Sequence, residues 1–198
     1  MVNKELDLSA KWSVMDSEIL AVVQQNAEAG NAQAQYELGC CFTTGMSVLK
    51  QDYAKAVEWY TKAAEQGHAE AQFNLGYSFQ MGFGVTKDLT KAAELYRKSA
   101  EAGYDQAQNT LGSFYLKGEG VEQDLPVKDR LVKAVEWFTK AAALGLAAAQ
   151  YNLGYCFQNG IGVPKDLSKA VEWYRKAAAQ HFEQAQEKLN QLKSEGKI

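Results

Sequence analysis

Three kinds of residue in this 198-residue chain carry the chemistry for catalysis or metal binding: two histidines, three cysteines and a recurring set of aspartates. His68 and His181 both fall beside helix starts and are far apart in the sequence, which suits surface or capping roles better than a ligand pair. Cys40 and Cys41 are adjacent, so they point to different faces of one helix and lack the Cys-x-x-Cys spacing of a redox or zinc site. Cys156 reads as a small, semi-buried residue, and Cys40 is the one thiol to test for reactivity. Asp52, Asp88, Asp124 or Asp129, and Asp166 have the chemistry of acid–base carboxylates. Their recurrence at helix starts fits helix capping better. Gly82-Phe-Gly84-Val, Gly118-Glu-Gly120-Val and Gly160-Ile-Gly162-Val resemble phosphate loops, but they follow no strand and lack a third glycine, so they read as turns. No Ser/His/Asp or Cys/His arrangement is visible. The expectation is a non-enzyme with no catalytic residue, no metal and no cofactor.

The elements that position these residues announce themselves by repetition. Ala69 to Phe79 (Ala-Glu-Ala-Gln-Phe-Asn-Leu-Gly-Tyr-Ser-Phe) returns at Ala147 to Phe157 and, more loosely, from Ala32 and from Asp105. Lys55 to Ala64 (Lys-Ala-Val-Glu-Trp-Tyr-Thr-Lys-Ala-Ala) returns from Lys91, Lys133 and Lys169. Gly30, Gly67, Gly103 and Gly145, with His181 in the same place after the fourth copy, are separated by 37, 36, 42 and 36 residues. The longest interval contains a six-residue insertion around Leu125 to Arg130, read as a lengthened loop or, with Lys128 and Arg130, as an additional contact point. A period in this range belongs to helical repeats, in which one unit cannot bury its own apolar face.

Each copy reads as two helices. Ala71, Leu75 and Phe79 form an i, i+4, i+8 stripe on the first; Ala92, Tyr96, Ser99 and Ala100 form one on the second. The first loop glycine suits the left-handed position that ends a helix. Ile19, Val23 and Ala27 align with Ala56, Tyr60 and Ala64, which predicts a lone second helix over 16–29. Ala185 and Leu189 predict a terminating helix, where Asn190 replaces the glycine and charge faces water.

The pattern Ala-x-x-x-Leu-Gly-x-x-Phe/Tyr, then Gly-x-Gly-Val-x-x-Asp, then Lys-Ala-x-x-Trp-Tyr-x-Lys-Ala-Ala-x-x-Gly resembles the Sel1-like repeat, a longer-looped relative of the tetratricopeptide repeat. The likeness runs from about Ser17 to Lys193. Gly45-Met46-Ser47-Val48-Leu49 departs from it by lacking the second glycine, so that loop is expected to take another shape. The resemblance implies an all-α, right-handed α/α superhelical solenoid of about four repeats with capping helices. The expected divisions are 1–29 (N-terminal segment and cap), 30–66, 67–102, 103–144 with the insertion 125–130, 145–180, and 181–198 (C-terminal cap).

Opposite the buried stripe of the first helices lies a second face, which the resemblance assigns to the concave surface. In the first copy it carries Gln33, Tyr36, Cys40 and Thr43; in the second, Glu70, Phe73, Tyr77 and Gln80. In the third it carries Gln106, Asn109, Ser113 and Leu116; in the fourth, Ala148, Tyr151, Tyr155 and Gln158. Rings interleaved with amides, and one charge among them, characterise a recognition surface more than a solvated face. The competing expectation is that these rings pack as core against neighbouring helices. Trp59, Trp137 and Trp173 are expected to serve inter-repeat packing, with a convex binding stripe as the alternative.

Hydrophobic residues make up 46% and charged residues 23% of the chain, the balance of a soluble folded protein. A net charge of −3 argues against nucleic acid as partner. No signal-peptide core and no bilayer-length apolar run are present. With Met1 as the natural start, a cytoplasmic chain is expected; a processed start would leave secretion or the periplasm open. The functional expectation is a protein–protein adaptor that holds a peptide or protein on the first-helix face, monomeric or weakly self-associating. The alternatives are a self-assembly module, a regulatory subunit of an enzyme, or a hydrolase, for which the family resemblance offers sporadic precedent. Residues 1–15, with Leu6, Leu8 and Trp12, are expected to cover the edge of the first helix or to dock on a partner or in the chain's own groove.

Overall fold

A computed structural model describes residues 17–45, 49–122 and 124–198. The expectations for residues 1–15 and for Met46 to Val48 lie outside them. Among the described residues there are ten helices: α1 (Ser17–Glu28), α2 (Ala32–Thr44), α3 (Tyr53–Glu65), α4 (Ala69–Met81), α5 (Leu89–Glu101), α6 (Asp105–Lys117), α7 (Val127–Ala143), α8 (Ala147–Asn159), α9 (Leu167–Ala179) and α10 (Glu183–Ser194). The chain is an all-α helical repeat solenoid of four helix pairs with one helix at either end. Two compact units divide between Ser99 and Ala100, inside α5.

In the first unit, Leu38 and Cys41 of α2, Ala56 and Tyr60 of α3, and Ala71 and Leu75 of α4 are buried together. On α1 the buried stripe is Leu20, Val23 and Ala27, whereas Ile19 is 53% exposed, so the alignment of Ile19 with buried Ala56 does not carry over. The reason is packing: α3 is covered by both α2 and α4, while α1 packs on α2. In the second unit Leu111, Phe138, Leu153, Tyr174 and Leu192 supply the fully buried bulk.

Within each pair the helices approach closely because the Leu-Gly glycine has no side chain. A Cβ on Gly154 would lie 2.8 Å from the Tyr174 ring, and one on Gly112 would lie 2.8 Å from Phe138. Caps follow the sequence for three of the four second helices. Asp52, Asp88 and Asp166 accept the backbone N–H of Lys55, Lys91 and Lys169 at 3.1, 3.0 and 2.9 Å. The expectation that Asp124 or Asp129 does the same is overturned: Pro126 stands at the N-cap of α7 and gives no side-chain cap, and Asp129 sits in the first turn. Nor is the insertion a simple loop. Val127 to Arg130 add a turn to α7, which has 17 residues against 13 in α3, α5 and α9. Proline is tolerated at the N-cap because a residue ahead of the first helical turn donates no hydrogen bond within the helix.

A set of buried glutamines ties successive pairs together, a role the sequence reading missed. Gln35, Gln72, Gln108 and Gln150 each donate to a carbonyl eight residues back, those of Ala27, Ala64, Ala100 and Ala142, at 3.1, 3.1, 3.1 and 3.4 Å. The Oε1 atoms of Gln35 and Gln150 accept from Gln66 and Gln180 at 2.7 and 3.0 Å. Those of Gln72 and Gln108 are buried without a partner. In repeat alignment the places of Gln66 and Gln180 are taken by Ala102 and Leu144, so the orphans occur where the donor is missing from the sequence.

Candidate functional site

The first-helix face divides into half-buried rings and more exposed ones, and among the latter Tyr77 still meets Phe83 edge-on at 6.0 Å. Tyr36 on α2 stacks on His68 with centroids 4.8 Å apart. Phe73 on α4 tilts against Tyr96 at 5.3 Å. Tyr151 on α8 lies between Tyr174 and Phe182, 5.5 Å from each. All three are half-buried. One turn further on, Tyr77 and Tyr155 are 38% and 41% exposed, which is unusual for rings of this size on a packed helix. The expectation of core packing thus holds for Tyr36, Phe73 and Tyr151, while Tyr77 and Tyr155 keep part of each ring exposed.

Beside each exposed tyrosine stands a glutamine whose amide is fixed from behind. Tyr174, buried on α9, donates its hydroxyl to Gln158 Oε1 at 2.7 Å, and Tyr96 on α5 donates to Gln80 Oε1 at 2.6 Å. Burial, then neighbouring Tyr151, Cys156 and Tyr155, pushes the Tyr174 hydroxyl up, so it stays a proton donor. Burial, then Tyr77, does the same for Tyr96. Tyr151 is raised by burial, then by Tyr155 and by the carboxylate of Glu187. Gln106 and Asn109 on α6 are half-buried, and Asn109 Oδ1 accepts from Asn152 at 2.9 Å. Glu70 at the start of α4 is half-exposed, 3.4 Å from His68 Nδ1.

The first copy lacks this arrangement. Cys40 stands where Tyr77 and Tyr155 stand, and it is buried at 1% exposure with its sulfur taking the Tyr60 hydroxyl at 3.5 Å. The thiol singled out for a reactivity test is thus a core residue. Cys41 and Cys156 are buried too, and burial pushes each thiol up to about 12. A thiol so raised is a poor nucleophile at neutral pH.

The histidines are not equivalent. His68 caps α4, its Nδ1 accepting from Ala71 N at 3.3 Å, while Nε2 lies 2.9 Å from Gln33 Oε1. His181 occupies the left-handed turn position (φ 62°) that glycine fills in the other copies. Trp59, Trp137 and Trp173 are half-buried, each under a lysine ammonium from the next turn at 3.9, 3.8 and 4.0 Å. Among the described residues no group of three His, Cys, Asp or Glu is placed to hold a metal, and no helix is long and apolar enough to cross a membrane.

A helical repeat array with a ring-and-amide face defines a class, and comparison with known proteins gives the family. The Sel1 repeat model matches residues 32–68, 69–104, 105–146 and 147–182; the chain belongs to the Sel1 repeat family. Repeats of this family commonly mediate protein interactions, on a scaffold that is typically non-catalytic. A solved protective antigen of uropathogenic Escherichia coli strains, displaying an SLR fold, is 37% identical with a TM-score of 0.82 over 89% of this chain and 36% of its own. A Sel1 repeat protein from Oxalobacter formigenes is 35% identical with a TM-score of 0.78, over 90% of this chain and 50% of its own. Cysteine-rich protein B of Helicobacter pylori is 27% identical with a TM-score of 0.51, over 68% of this chain and 92% of its own. The chain thus spans at most half the length of the first two. No curated protein sequence matches it.

Proposed function

We propose that the chain is a non-catalytic interaction module that holds a peptide or protein partner on its first-helix face. The observation that carries this is the exposure of Tyr77 and Tyr155 beside half-buried Phe73 and Tyr151, in two copies of one local arrangement. The hairpins bury their own stripes, while Tyr77, edge-on to Phe83 at 6.0 Å, and Tyr155 keep part of each ring exposed as apolar area that a partner can cover. Burying one contributes on the order of 1–3 kcal/mol. Tyrosine adds a polar tip that satisfies a hydrogen bond when the ring is covered.

The test is capture from a lysate of the source organism by the immobilised chain. Tyr77→Ala with Tyr155→Ala is expected to abolish recovery of a specific partner while helicity and the melting transition stay intact. Recovery unchanged by the double variant defeats the proposal. Light scattering over a concentration series separates it from self-assembly: association lost on the same substitutions would mean that the partner is a second copy.

A further inference from the structure

The exposed rings are accompanied by an amide whose direction is set, and that direction selects a ligand. A phenol proton buried on α9 needs an acceptor, and Gln158 Oε1 at 2.7 Å is that acceptor for Tyr174. With Oε1 committed, the Gln158 Nε2 group is the part of the amide left to face outward, and Gln158 is half-exposed. Nε2 is a donor only. Tyr155 lies three residues earlier on α8, so ring and donor share one face of the helix.

The four copies behave as an internal mutation series. Tyr96 is paired with Gln80 and Tyr174 with Gln158. In the first copy Tyr60 meets Thr43 Oγ1 at 3.0 Å, and the ring position is the buried Cys40. In the third copy Phe138 replaces the tyrosine, and the glutamine and exposed ring become Leu116 and Ser113. Amide and exposed ring are present together in the second and fourth copies and missing together in the first and third, while the first copy keeps the hydroxyl without them. The joint presence of ring and amide is what one subsite requires.

We propose that Gln158, held by the Tyr174 hydroxyl, gives its amide N–H to a main-chain carbonyl of an uncharged peptide segment whose apolar side chain lies on the Tyr155 ring. Gln80, Tyr96 and Tyr77 form the same subsite in the other unit. The ligand's oxygen is taken as neutral because of charge. No Lys or Arg stands at any first-helix face position of the second unit, and Glu187 acts on Tyr151 beside the site. A carboxylate would arrive with no cation to meet it and a like charge nearby. The inference rests on the peptide-holding role proposed above and narrows its chemistry.

The experiment selects binders to the full chain from a random-peptide phage library and resynthesises an enriched peptide without charged side chains. Its Kd is measured by calorimetry on four single variants and on Gln158→Leu combined with Tyr174→Phe, with melting as the folding control. Gln158→Leu is expected to weaken binding about tenfold, and Gln158→Glu at least as much, since it replaces a donor by an anionic acceptor. Tyr174→Phe is expected to weaken it severalfold, and to add nothing on top of Gln158→Leu. Phe138 already fills that place in the third copy, so the phenylalanine fits the fold. Kd unchanged by Gln158→Leu, or tightened by Gln158→Glu, overturns the inference while leaving the peptide-holding role in place. If Tyr155→Ala, the fourth variant, leaves Kd unchanged, or if no peptide is enriched, the peptide-holding role falls and takes the inference with it.

Discussion

At the scale of single residues, the buried glutamines give the clearest measure of what a side chain contributes. Gln108 carries a buried Oε1 without a partner, and Leu144, 60% exposed, stands where the donating glutamine stands in the first and fourth copies. Leu144→Gln is expected to supply the missing N–H and raise stability by about 1 kcal/mol, read as a shift of the urea midpoint at unchanged m-value. Gln108→Leu in that background tests the cause, because it must erase the gain; if the gain survives, the lost apolar exposure explains it. The same scale shows where sequence is legible and where it is not. Periodicity correctly set Tyr77 and Tyr155 opposite the buried stripe, since that depends only on angle around one helix. It set Cys40 there too, and failed, because the small side chain lets the Tyr60 hydroxyl and Asn74 close over it. Whether a face position is open depends on the size of what stands there and on what reaches across from the next helix. Neither is a property of the helix's own periodicity.

At the scale of elements, glycines separate two kinds of constraint that look alike in sequence. Gly162 has φ +67°, and a Cβ there would lie 2.6 Å from the Leu131 carbonyl carbon of α7, with the carbonyl oxygen closer still. Gly67 has φ +86° and nothing within 4 Å of an added Cβ. Gly67→Ala is therefore expected to cost about 1 kcal/mol of conformational strain. Gly162→Ala must also push the α8–α9 loop off the backbone of α7 and is expected to cost about 3 kcal/mol. Equal losses in denaturant titrations of the two variants would show that loop contact contributes nothing. His181 at φ 62° shows natural tolerance of the first kind of site. The helix pairs, their order and three of the aspartate caps were legible because each is fixed by residues within one copy. The extra turn of α7 was not, since Leu125 to Arg130 has no counterpart elsewhere to read against. Its arginine explains one detail: the Arg130 guanidinium occupies the space where a side chain on Gly118 would be.

At the scale of the whole molecule, buried proton donors set how stability responds to alkali. Cys41, Tyr60 and Tyr96 are buried in the first unit, Cys156 and Tyr174 in the second. Burial raises every one of them; the two thiols move from an ordinary 9.0 to about 12. A raised acid keeps its proton in the folded chain after the unfolded chain has lost it. Above pH 9 the unfolded state thus binds fewer protons than the folded state, and stability must fall as pH rises. Below the unfolded pKa both states hold the proton, and these groups contribute no slope. The thiols act from about pH 9 to about 12, and the tyrosines begin near 10, their usual value. Because both units carry such groups, neither is left as an alkali-resistant remnant, and far-UV and tyrosine signals should lose their urea midpoints together. Cys41→Ala with Cys156→Ala removes the share of these two thiols in the slope that starts near pH 9 and leaves the part that starts near pH 10. A wild-type midpoint flat from about pH 9 to 11 would mean that water reaches these side chains, and with it the packing that sets apart the two exposed tyrosines would be lost.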